Sequence, residues 1–162
     1  MKKLTEVFLL VAVLGLGLAR SAMADNIDAH MVTVTVNPIN EVAISGGDLT
    51  LTINTATAGN NPDPVTNSTT CDLDWTTNEA TKKITVATDL LAPTFTLKVV
   101  AENVTGVGTA APEVTLSITA TNFVTGISTT IGGCDLKYTA SATAAQGTGS
   151  DFHTVIYTLT AG

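Results

Sequence analysis

Two cysteines, two histidines and three aspartates around one long polar loop are the residues whose types and spacing bear on chemistry. The cysteines open two similar stretches, CDLDWT at residues 71–76 and CDLKYT at residues 134–139. Side chains alternate between the faces of a strand. Cys71, Leu73 and Trp75 therefore share one face, as do Cys134, Leu136 and Tyr138, leaving Asp72, Asp74, Asp135 and Lys137 for solvent. An even cysteine count on matched inward positions predicts a Cys71–Cys134 disulfide through a core. Such a cross-link would remove about 4 kcal/mol of unfolded-state entropy.

The catalytic inventory is poor. His30 and His153 lie in separate alternating stretches, and no G-x-S-x-G, H-E-x-x-H or phosphate-cradling loop occurs. General acid-base or nucleophilic chemistry needs titratable partners brought together, so no enzyme activity, catalytic residue or cofactor is expected. Asp63, Asp72 and Asp74, on or beside the loop at residues 54–70, are the candidate oxygen ligands for calcium. They lack the D-x-D-x-D-G spacing and read more simply as turn and solvent carboxylates. Of the aromatics, Phe123 and Phe152 are left as candidates for exposed sugar contacts.

The N-terminus explains why a disulfide is expected. MKK, the apolar run from Val7 to Leu18 and Ala22-Met23-Ala24 form the three regions of a secretory signal peptide over residues 1–24. The apolar run is too short for a membrane anchor, so the mature domain, residues 25–162, is expected to be exported to the periplasm, cell surface or medium without membrane insertion. Cleavage removes three of the seven basic residues (Lys2, Lys3, Arg20) and one of the fourteen acids (Glu6), leaving four against thirteen, a charge of −9. Phosphate binding needs a basic patch, so nucleic acid is not an expected partner.

The remaining sequence is threonine- and valine-rich, which favours strands. The residues HMVTVTV at 30–36 alternate strictly, with Val32, Val34 and Val36 on one face, and Asn37-Pro38 ends the pattern. Gly46-Gly47 predicts a hairpin pairing residues 42–45 with 48–53, and Gly132-Gly133 predicts a second that places Ile131 opposite Cys134. Further alternation occurs at Ile84 and Val86, at Phe95, Leu97 and Val99, at Val114, Leu116 and Ile118, and at Val155, Tyr157 and Leu159. About eight to ten short strands with glycine and proline turns predict an all-β protein, a single antiparallel Ig-like or Greek-key β-sandwich.

The signal peptide, threonine- and valine-rich strands, a cysteine pair and the closing HTVIYTLT resemble the secreted bacterial subunits of fimbriae and of the spore coat protein U type. The resemblance is one of pattern over the mature chain. It implies a structural or adhesive surface subunit that self-associates or joins other surface subunits by strand donation, with help from a periplasmic chaperone. The candidate donor strand is the stretch bearing Val32, Val34 and Val36. The competing reading is a monomeric extracellular module that binds carbohydrate or another surface ligand.

Overall fold

A computed structural model describes residues 27–162; the expected signal peptide at residues 1–24 lies outside them. Residues up to Thr35 form one unit and Val36–Gly162 another. In the first, the described residues 27–35 form no strand. The predicted strand at residues 30–36 is thus absent. Val32, Val34 and Val36 are exposed, at 70%, 82% and 71% of their surface, because no ladder supplies backbone partners for this stretch.

The second unit is all-β, with ten strands: β1 (Asn40–Ser45), β2 (Val65–Asn67), β3 (Asp72–Thr77), β4 (Lys82–Thr88), β5 (Thr96–Thr105), β6 (Thr109–Ala110), β7 (Val114–Thr115), β8 (Thr121–Ile127), β9 (Thr130–Ser141) and β10 (Val155–Ala161). They form two antiparallel sheets. One has the order β1-β3-β9-β5-β7, with β2 also on β9; the other has the order β10-β4-β8-β6. The alternation expected for the two cysteine stretches is realised. Cys71, Leu73, Trp75, Cys134, Leu136 and Tyr138 are all buried, in one core cluster with Ile84, Val86, Phe123 and Tyr157 from the other sheet. Phe123, expected as an exposed aromatic, is only 1% accessible, because the inward face of β8 carries it.

Neither predicted hairpin forms. Gly132 and Gly133 lie within β9 and pair with Trp75 and Asp74 of β3. They serve by their size, since a Cβ on Gly132 would stand 2.6 Å from the Trp75 indole and one on Gly133 would stand 2.5 Å from Asp74 Oδ1. Gly46 and Gly47 do turn the chain, with φ of 93° and 73°. β1 nevertheless takes β3 as its partner, in a register running from Asn40↔Thr77 to Ser45↔Asp72. That places Val42 against Trp75, a larger apolar neighbour than Leu51 in the hairpin, and Ile44 against Leu73 in place of Leu49. The stretch at 54–70, expected as loop, contains β2 and an isolated bridge between Ala56 and Pro62.

The predicted disulfide is also corrected: Cys71 and Cys134 are buried free cysteines. The register accounts for this. Leu73 is opposite Cys134, and the Leu136 N–H donates to the Cys71 carbonyl at 2.9 Å, so the cysteines are diagonal neighbours instead of facing ones. Diagonal Cα atoms lie about 7–8 Å apart, beyond the usual disulfide range of about 4.4–6.8 Å.

Between the sheets, the Tyr138 and Tyr157 hydroxyls are hydrogen-bonded at 2.9 Å, and Phe123 packs on Tyr157 with ring centroids 5.1 Å apart. Burial pushes both phenols up in pKa. A group whose folded pKa is raised contributes stability that is complete below its unfolded pKa, about 10 for tyrosine, and is lost as the pH rises beyond it. Because the chain has only two tyrosines, an ultraviolet tyrosinate titration reads them without interference. We expect no tyrosinate in the folded protein at pH about 10–11, and its appearance together with unfolding. Ordinary ionisation of either phenol in folded protein would contradict this packing.

Candidate functional site

The sheets leave an open groove of about 950 Å³. Its floor includes Cys71, Leu97 and Tyr138, and its two walls are the stretches at residues 47–56 and 147–155. The first wall keeps the alternation seen in the sequence. Leu49, Leu51 and Ile53 are half-buried, while Asp48, Thr50 and Thr52 are exposed. Yet residues 48–54 belong to no strand and make no backbone-backbone hydrogen bond. Backbone donors and acceptors are normally paired unless water reaches them. This wall therefore has the pattern of a strand without the ladder.

The second wall is similar. Residues 149–154 form no strand before β10 begins. They are held from behind. The Phe95 N–H donates to Asp151 Oδ2 at 2.7 Å, the Thr154 N–H to Asp89 Oδ1 at 2.7 Å, and the Asp89 N–H to the Thr154 carbonyl at 3.2 Å. The bonds from Thr154 hold the Asp89 carboxyl below its usual range. Phe152 lines the groove and is 86% exposed, a large apolar surface for a free side chain to offer water.

His153 also lines the groove, with Nδ1 3.1 Å from the buried Thr88 hydroxyl, which itself accepts a 3.4 Å bond from the Leu90 N–H. This local network fixes the start of β10. His30 is exposed in the stretch at residues 30–36, and the two histidines belong to different units. Asp72 and Asp74 project from the outer face of β3, away from the core, and Asp63 precedes β2. Among the described residues no group of three His, Cys, Asp or Glu side chains is placed to hold a metal ion, so the three calcium candidates do not converge. Asp72 instead stands beside Asp135 of β9, which accepts a 2.6 Å bond from Asn103. No helix among the described residues is long and apolar enough to cross a membrane.

The thiols respond to this setting. Burial, reinforced by Asp135, Asp72 and Asp74, pushes the Cys134 thiol up to about 12, and burial beside Asp72 also raises Cys71. Since the thiolate is the nucleophile, native protein should react slowly with iodoacetamide. Cys71 should react before Cys134, because Cys71 alone lines the groove. Peptide mapping over a time course checks the order, and urea should accelerate both. Equal rapid labelling in folded protein would contradict their burial.

Sequence reasoning found the inward cysteine stripes and the alternation of residues 48–53, but assigned the latter to a hairpin and so missed the groove. The unused pairing of that stretch is the feature a single sequence does not display. The chain matches no protein-family model, and no curated protein matches it.

Proposed function

We propose that this protein is a non-enzymatic, exported structural or adhesive surface subunit of the fimbrial or spore coat protein U type. In this reading its two sheets form an Ig-like, Greek-key sandwich that assembles by strand exchange. The arm at residues 30–36 of one copy enters the groove of another. The observation that carries the reading is the groove itself, two stretches of whose walls, residues 48–54 and 149–153, lie outside every ladder. An incoming strand gains main-chain hydrogen bonds from such edges and fills pockets with alternate side chains.

The arm has the matching features. It is extended in pattern, and Val32, Val34 and Val36 are exposed. Seven extended residues span about 23 Å, and each valine fully buried would contribute about 1.5–3 kcal/mol before ordering costs. Free β-edges beside apolar side chains also invite unwanted pairing, which gives a periplasmic chaperone a purpose before assembly.

A synthetic peptide of residues 29–37 tests the reading. It should bind the subunit lacking residues 25–36 and slow alkylation of Cys71, the thiol on the groove floor, by tenfold or more at saturation, while a peptide with all three valines replaced by serine should do neither. An unprotected Cys71 at saturating peptide would remove the groove as the acceptor. Retention on a glycan column by a protein that remains monomeric would favour the carbohydrate-binding module instead.

A further inference from the structure

The chain enters β1 through Asn37-Pro38-Ile39, and one side chain holds all of this entry. Asn78 Nδ2 donates to the Asn37 carbonyl at 2.8 Å, and Asn78 Oδ1 accepts from the Ile39 N–H at 2.8 Å. Its backbone N–H donates to the Ile39 carbonyl at 3.2 Å. The next step is fastened as well: Thr77 Oγ1 donates to Asn40 Oδ1 at 2.8 Å, and Asn40 Nδ2 donates to Glu79 Oε2 at 2.5 Å. Pro38 cannot offer an N–H and fixes its own φ, and it restricts Asn37 to extended conformations. The Asn78 carboxamide therefore supplies, from a side chain, the donor and acceptor that another strand residue would have supplied. The β1–β3 ladder formally ends at Asn40↔Thr77, but the chain is held back to Asn37.

We infer that Asn78 is a positioning residue for the joint between strand-exchanged copies, an inference that rests on the strand-exchange reading of the arm. Val36, the last of the three valines, is adjacent in sequence to Asn37, the first residue that Asn78 holds. No freely rotating residue separates the donated strand from the anchored chain, and each one inserted there would add two soft dihedrals. The joint is short because of Pro38 and stiff because of Asn78. Consecutive copies then meet at a defined angle. Asn78 is exposed, so its replacement should leave the core intact.

Relaxation measurements on the full-length monomer and images of its assemblies test the two halves separately. In the unaltered chain the Asn37 and Ile39 amides should have order parameters near 0.85, like β1 itself; in Asn78→Ala that of Asn37 should fall below about 0.6 with residues 41–45 unchanged. Asn78→Asp keeps an acceptor for Ile39 but loses the donor to Asn37, and should loosen Asn37 more than Ile39. Fibres of Asn78→Ala should display a broader spread of angles between successive subunits. Order parameters that do not change in Asn78→Ala overturn the clamp, and fibres as uniform as those of the unaltered chain overturn its role at the joint. An unaltered chain that forms no assemblies overturns strand exchange and the joint with it, whereas the monomer relaxation still decides whether Asn78 holds the entry.

Discussion

Replacing Gly132 by alanine is expected to destabilise the protein by about 1–3 kcal/mol, and by valine more, the range for overpacking a filled core. The new Cβ would stand 2.6 Å from Trp75 Cε2 and Cζ2 and 2.7 Å from the Thr105 carbonyl oxygen. Trp75 is 2% exposed and opposes Gly132 directly in the ladder, so neither the ring nor the backbone has room to withdraw. Gly132 is not among the glycines with positive φ, which makes the penalty one of space alone. Gly149 provides the control: its Cβ would meet the Phe95 ring at 3.6 Å, an ordinary contact, and alanine there should change stability little. Urea unfolding followed by fluorescence of the single tryptophan measures both variants. Equal stability of Gly132→Ala and the parent would mean that Trp75 does not lie over this glycine.

Removing residues 25–36 should abolish assembly while leaving the melting temperature of the domain nearly unchanged. The described residues 27–35 enter no ladder, and Val36–Gly162 contains all ten strands, so the deletion takes no hydrogen-bonded rung. A point change should have a similar effect on assembly. Val34→Asp would carry a carboxylate towards a groove floored by Cys71, Leu97 and Tyr138 and already lined by Asp48 and Asp151, and burying an unpaired charge costs several kcal/mol; at about 1.4 kcal/mol per factor of ten, assembly should weaken at least a hundredfold. Sedimentation of parent, deletion and Val34→Asp proteins at equal concentration reads the effect. A deletion variant that sediments like the parent would remove the arm from the assembly mechanism, and one that unfolds would make the arm a part of the domain.

The inward stripes were legible because period-two alternation reports which face a residue takes, and burial follows from that. Leu73, Trp75, Leu136 and Tyr138 needed no partner to be identified as core. Pairing was another matter. Gly132-Gly133 and Gly46-Gly47 look alike in sequence, yet one pair lies flat beneath Trp75 and Asp74 and the other turns the chain with positive φ. What distinguishes them is the identity of the opposing residue, which local sequence does not contain. The same limit applies to the cysteines, whose inward faces were legible while their diagonal placement on neighbouring strands was not. For the candidate site, the alternation at residues 30–36 was legible although no strand forms there, whereas the groove was hidden because residues 48–53 look like any other strand. Asn78 carries no sequence signal, since an asparagine after a strand reads as an ordinary turn residue.

The entry at Asn37 also bears on what happens when the protein is pulled. Tension applied there along the axis of β1 is transmitted to the rungs from Asn40↔Thr77 to Ser45↔Asp72. When the load runs along β1 and is resisted from the far, Asp72 end of β3, these rungs are strained together in shear instead of opening one after another like a zipper. Rupture must break several bonds in a single event, and forced unfolding is governed by the rate of that event more than by equilibrium stability. A chain anchored in this way answers a brief tug with the rate at which those rungs break together, not with its equilibrium stability.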